Sequence, residues 1–168
     1  MLAIKSSVLL LSFSGPFSRN LHSDERFEQY MHRLFRSRAG EASKPNRSKA
    51  SLEPEEADRI REELLMSMAE EELFLNPDLS LRSLAARVGV HPNQLSWLLN
   101  ALLEQNFNQF VNAYRINHFK KLVADKSNAH ISLLGLAYES GFNSKSVFNA
   151  AFKKACGMTP GAFVKSLK

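Results

Sequence analysis

From Leu52 to the end of the chain, apolar positions recur three and four residues apart, the spacing of one helix face. Pro54 suits a first helical turn, and Glu55, Glu56 and Asp58 suit its positive end. Ile60, Leu64, Leu65, Met68, Leu73, Phe74 and Leu75 then predict one helix running to about Leu75, stopped at Asn76-Pro77. Ser80 caps a helix with Leu81, Leu84, Ala85 and Val88 on one face. Gly89 supplies a turn, His91 a cap and Pro92 the first position of a further helix. In that helix Leu95, Leu98, Leu99 and Leu102 face inward, which leaves Asn93, Gln94, Ser96, Trp97 and Asn100 outward. Phe107 to Asp125 predicts one long helix, and Lys126 to His130 breaks it. A helix with Leu133, Leu136, Ala137 and Tyr138 ends at Gly141, and Asn143 or Ser144 caps the next. There Val147, Phe148, Ala151 and Phe152 are the inward candidates. Lys145, Ser146, Asn149, Ala150 and Lys153 point elsewhere. Gly157 ends that helix and Pro160 opens a short last one through Phe163 and Val164.

The pattern repeats. Ala85, Gly89 and Leu95 return as Ala137, Gly141 and Val147, each 52 residues later. Phe110-Val111 returns as Phe163-Val164 at an offset of 53, so the repeat carries a one-residue slip. Small residue, glycine and apolar residue at this spacing describe a helix-turn-helix: the small residue admits close approach, the glycine takes φ > 0, and the apolar residue packs back. Two such units in tandem suit a protein that holds two helices against DNA. The fold class is all-α, with two helix-turn-helix subdomains at about 80–104 and 131–156 joined by a linker helix at about 107–125.

Ahead of this domain, 52–168, residues 1–51 form a tail and linker. Ser23 and the stripe Phe27, Tyr30, Met31, Leu34 and Phe35 predict a short helix over 23–38. Residues 39–51 carry Gly, Pro, Asn and Ser without a large apolar side chain, the composition of a linker. Val8 to Phe13 is apolar but far short of the roughly 20 residues that span a bilayer. It reads as a disordered tail, as the stub of a larger membrane or sensor region, or as a mispredicted start, with the tail or stub preferred.

Charge sharpens the division of labour. The 168 residues carry a net +5, unevenly. Residues 57–76 hold two basic and six acidic side chains, whereas 77–168 hold eleven basic and four acidic. The first predicted helix is therefore a poor DNA contact and reads as a brace. The basic surplus sits with the two helix-turn-helix patterns, where phosphate neutralisation releases counterions. Cys156 is the only cysteine and lies in an apolar helical pattern, which excludes a disulfide within the chain and suits a small buried hydrophobe in a reducing cytosol. The five histidines form no i, i+4 pair, and no Ser-His-Asp pattern, phosphate loop or HExxH occurs, so nothing points to an enzyme, a metal or a cofactor.

Residues 141–163, GFNSKSVFNAAFKKACGMTPGAF, resemble the second helix-turn-helix signature of the AraC/XylS family of bacterial transcription regulators. LSLRSLAARVGVHPNQLSWLLN and FNQFVNAYRINHFKKLV resemble that family's first unit and linker helix. The resemblance covers Leu52 to Lys168. It implies about seven helices in two homeodomain-like subdomains, a cytoplasmic protein, and double-stranded DNA and RNA polymerase as partners. It also implies two recognition helices in successive major-groove segments about 34 Å apart. Mapped onto this sequence, the candidate base contacts are Asn93, Ser96, Trp97 and Asn100 in the first unit and Lys145, Ser146 and Asn149 in the second. Asn bonds adenine N6 and N7, and Lys reaches guanine O6 or N7. The candidate phosphate contacts are Arg82, Ser83, Arg115, Lys120, Lys121, Lys153 and Lys154. Trp97 replaces an often polar or basic position. It either packs along DNA or caps the edge of the core. The family's N-terminal sensory domain has no counterpart in about fifty residues. A branch of the family carries membrane helices ahead of an NSKS-type second motif, so a membrane tether enters only if the N-terminal run is a stub of a larger protein. No small-molecule site is evident. The competing expectation is a helix-turn-helix used for protein–protein interaction without DNA, with the acidic brace and an outward Trp97 as its support.

Overall fold

A computed structural model describes residues 53–167, apart from the side chain of Leu102; the expected helix over 23–38, the Val8 to Phe13 run and the inward placement of Leu102 lie outside the described residues. Among them are seven α-helices and two 3-10 turns: α1 Pro54–Ala69, α2 Leu81–Arg87, α3 Pro92–Leu103, α4 Phe107–Ala124, α5 Leu133–Glu139, α6 Lys145–Cys156 and α7 Pro160–Ser166. The 3-10 turns are Leu73–Leu75 and Lys126–His130.

Local chemistry sets most boundaries. Ser80 and Ser83 form a reciprocal capping box at α2, His91 and Gln94 one at α3, and Asn106 and Gln109 one at α4. Ser132, Ser144 and Thr159 accept from backbone N–H groups at the starts of α5, α6 and α7. Pro54, Pro92 and Pro160 open their helices, where the missing N–H costs nothing.

The brace differs from expectation. One helix to about Leu75 is instead α1 ending at Ala69, followed by a separate 3-10 turn. Glu70, Glu71 and Glu72 explain the break, since three carboxylates at the negative end of a helix oppose its dipole. Glu72 leaves the helical region altogether at φ 48°. Leu73 to Leu75 are thereby turned back, and Phe74 is buried.

Two cores result, and α4 belongs to both. The first gathers Ile60, Leu64 and Met68 of α1, Phe74, Leu84 of α2, Leu95, Leu98 and Leu99 of α3, and Phe110, Val111 and Tyr114 of α4. The second gathers Ile116 and Phe119 of α4 with Leu136, Ala137, Phe142, Phe148 and Phe152. It is an aromatic cluster: Phe119 and Phe148 have ring centroids 4.8 Å apart, Phe142 and Phe148 5.1 Å, and Phe152 and Phe163 5.5 Å. The allegiance of α4 changes between Tyr114 and Ile116, on either side of Arg115. With 18 residues, α4 is about 27 Å long, enough to carry one unit at each end.

Candidate nucleic-acid interface

In each unit a short helix, α2 or α5, is followed by a turn at a positive-φ glycine, Gly89 at 73° or Gly141 at 87°, and then by a 12-residue helix, α3 or α6. Up to the glycine, the two units match at the offset of 52: Ser80 and Ser132 are the caps, and Ala85 and Ala137 are both fully buried. After it the structural offset is 53. His91 caps α3 two residues beyond Gly89, whereas Ser144 caps α6 three beyond Gly141. The slip in the repeat therefore lies in the second turn.

This shift corrects the expectation that Val147 faces inward beside Leu95. The partner of the buried Leu95 is Phe148, and that of Leu99 is Phe152. Val147 is 46% exposed. Sequence spacing alone missed it as a surface residue because the insertion rotates each later position by about 100°. On the corrected register Ser96 corresponds to Asn149, Trp97 to Ala150 and Asn100 to Lys153.

On α6, Lys145, Ser146, Val147, Asn149, Ala150, Lys153 and Lys154 are all exposed. The helix carries three lysines and no carboxylate. Beside it lies an open groove of about 500 Å³ lined by Leu133, Phe148 and Pro160 together with Lys145, Asn149 and Lys153. Two of the lysines thus bound an apolar trough.

The face of α3 is poorer. Asn93 is exposed, but Asn100 donates to the Ser96 carbonyl at 2.7 Å, which holds its amide along the helix. Ser96 and Trp97 are half-buried. Trp97 packs against the first core, with its indole N–H buried and without a hydrogen-bond partner, so it caps the edge of that core. Arg82 is exposed, while the Ser83 hydroxyl is committed to the α2 cap, donating to the Ser80 carbonyl at 3.0 Å and accepting from the Ser80 N–H.

On α4, Lys120 is half-buried, its ammonium 5.9 Å and 5.4 Å from the ring centroids of Phe152 and Phe163, which ties it to the second core as a cation–π partner. Lys121 is also half-buried. Arg115 is placed differently from the expectation of a phosphate contact. Only 8% exposed, it donates from Nε to the Phe74 carbonyl and from Nη2 to the Asn76 carbonyl, both at 2.8 Å. Burial pushes its pKa below the ordinary arginine value. Its burial and the two backbone carbonyls that hold its guanidinium, rather than any shortage of N–H donors, place Arg115 poorly for reaching a phosphate.

Away from this surface, Arg87 closes α2 onto the acidic run after α1. Its Nε donates to Glu71 at 2.9 Å and a second nitrogen pairs with the other carboxylate oxygen, a hydrogen-bonded contact that raises the Arg87 pKa. Among the described residues no group of His, Cys, Asp and Glu is arranged to hold a metal ion, and no helix is long and apolar enough to cross a membrane.

Residues 84–166 match the family model of a helix-turn-helix domain. The chain is 30% identical over 87 residues to the melibiose operon regulatory protein of Escherichia coli strain K12. The same match is found in the protein of that name from strain O6:H1. The alignment takes in 52% of this chain and 28% of the relative, so the chain spans under a third of the length of these regulators. Among solved structures, a protein of unknown function from Listeria innocua superposes with a TM-score of 0.53 and 26% identity, over 62% of this chain and 93% of that one. Two glycine-turned helix pairs on a shared linker helix, the matched domain and the similarity to the melibiose operon regulatory protein agree: the chain belongs to the AraC/XylS family of transcription regulators.

Proposed function

We propose that this chain is a sequence-specific double-stranded DNA-binding transcription regulator that inserts α3 and α6 into successive segments of the major groove, with residues 52–168 as the DNA-binding domain. The exposed, carboxylate-free face of α6 carries the reading. Lys145, Ser146 and Asn149 offer donors and acceptors to base edges, and the exposed methyl groups of Val147 suit the C5-methyl of thymine. Lys153, Lys154 and Arg82 supply charge for phosphates. On α3, Asn93 is the free polar reader, so the second unit contributes more of the specificity and the first mainly sets register. RNA polymerase is the protein partner that a regulator of this family addresses. The alternative of a pure protein-interaction module loses one of its two supports, because Trp97 is turned into the edge of the core. A mobility-shift series tests the reading: duplex binding weakens steeply with added salt, and no binding to any duplex at low salt overturns it.

A further inference from the structure

The two helix-turn-helix units touch at a second place besides the linker helix. Arg115 lies where α4 passes from one core to the other. Its guanidinium bonds the carbonyls of Phe74 and Asn76, in the segment that follows α1, and its Cζ sits 5.8 Å from the ring centroid of Phe142, in the turn before α6. Three parts of the chain meet at one side chain.

The neighbours repeat the arrangement. Gly141 approaches so closely that a Cβ there would collide with the Phe74 carbonyl oxygen and lie 2.9 Å from the Leu75 Cα. One turn along α4, His118 has its ring centroid 5.7 Å from that of Phe74 and its Nδ1 3.3 Å from the hydroxyl of the fully buried Ser140. The turn of the second unit is therefore seated against residues 74–76, with Arg115 and His118 between them.

Packing on the linker helix alone leaves each unit able to rock about its own end of α4. A second attachment removes that freedom. The angular setting of α6 about the axis of α4 is then fixed relative to α3. On duplex DNA one added base pair shifts a half-site by about 3.4 Å and rotates it by about 35°. A pair of readers that cannot rotate discriminates against such a change, and a pair joined by a compliant linker follows it.

We propose that Arg115 is a positioning residue which latches the second helix-turn-helix onto the segment closing α1 and so fixes the number of base pairs between the two half-sites. This rests on the two-helix reading above, which the same experiment tests separately. The full chain selects a duplex from a random pool. Binding is then measured to that duplex, to derivatives with one base pair inserted or deleted between the half-sites, and to each half-site alone. Wild type is expected to lose at least tenfold on either spacing change. Arg115→Lys keeps the charge but replaces the planar fork, whose Nε and Nη2 reach separate carbonyls, with a single ammonium, and is expected to shrink that penalty at least threefold with each single half-site held within twofold of wild type. Circular-dichroism melts establish that the variant is folded. If it is not, His118→Gln loosens the same junction from its other side and is read in the same way. Wild-type indifference to spacing, an unchanged penalty in the folded variant, or an equal loss on every duplex including the single half-sites would each overturn the latch. Absence of wild-type binding to any duplex would overturn the two-helix reading itself.

Discussion

Glu104 and Gly157 close α3 and α6 in the same left-handed backbone conformation, at φ 51° and φ 73°. They are equivalent at the corrected offset of 53, yet only one of them is a glycine. A side chain in this region is penalised by about 1–2 kcal/mol, partly offset by the lower unfolded-state entropy of a non-glycine residue. Glu104→Gly is therefore expected to stabilise the protein by about 0.5–1 kcal/mol, and Gly157→Ala, whose Cβ meets nothing within 4 Å, to destabilise it by about 1 kcal/mol. Urea midpoints of the two variants check both signs.

Gly89 and Gly141 share positive φ but not their surroundings. A Cβ at Gly89 meets open space, whereas one at Gly141 runs into the backbone of Phe74 and Leu75. Gly89→Ala is expected to cost about 1 kcal/mol of backbone strain alone. Gly141→Ala adds overpacking to that strain, roughly 2–5 kcal/mol in all. Equal shifts in the denaturation midpoints would contradict the close approach of the second turn to residues 74–76.

The proposed DNA contacts are expected to separate by their salt and sequence signatures. Asn149→Ala is expected to cost about 1–3 kcal/mol on the preferred duplex and to relax preference at one position. Lys154→Ala is expected to weaken all duplexes alike and to reduce the slope of log K against log salt by about 1. Asn93→Ala is expected to cost less specificity than Asn149→Ala. Titrations on the selected duplex and on a scrambled one at several salt concentrations distinguish these outcomes.

Acid weakens the junction around His118. Burial is the main cause that lowers its pKa, assisted by Lys121, while Glu72 and Glu139 oppose it. The Ser140 hydroxyl proton is given to the Leu136 carbonyl at 2.7 Å, so the Ser140 oxygen accepts from a proton on Nδ1 of His118. Below the ordinary histidine value of about 6.5 the unfolded chain takes up a proton that the folded chain refuses, so stability falls with falling pH until the depressed folded value is passed. Urea unfolding of wild type is expected to shift to lower midpoints between pH 7 and pH 5, and His118→Gln to lose part of that slope. Identical slopes would remove His118 as its source.

The helices and most of their ends were legible because their causes are local. Ser80, His91 and Pro160 act on backbone within three residues of themselves. The corrections share a different origin. Arg115 looked like any basic residue on a long helix, because its partners are carbonyls some forty positions away that no periodicity reports. Trp97 was ambiguous for the same reason, since its environment is made by the packing of α3 on the first core. Val147 was misread because one extra residue in a turn is invisible when two motifs are aligned by their glycines. The exposed polar face of α6 was otherwise readable, as exposed polar residues follow directly from which positions are apolar.

The longer second turn also sets a rule for exchanging specificity between the two units. A graft of the α6 surface onto α3 that follows the glycine-aligned repeat would install every reader one position out, about 100° around the helix. Asn149 would then fall on Trp97, at the edge of the core, rather than on Ser96. Transplants in this scaffold must be counted from the caps, Ser144 onto His91, so that the helix rather than the motif is the unit that moves.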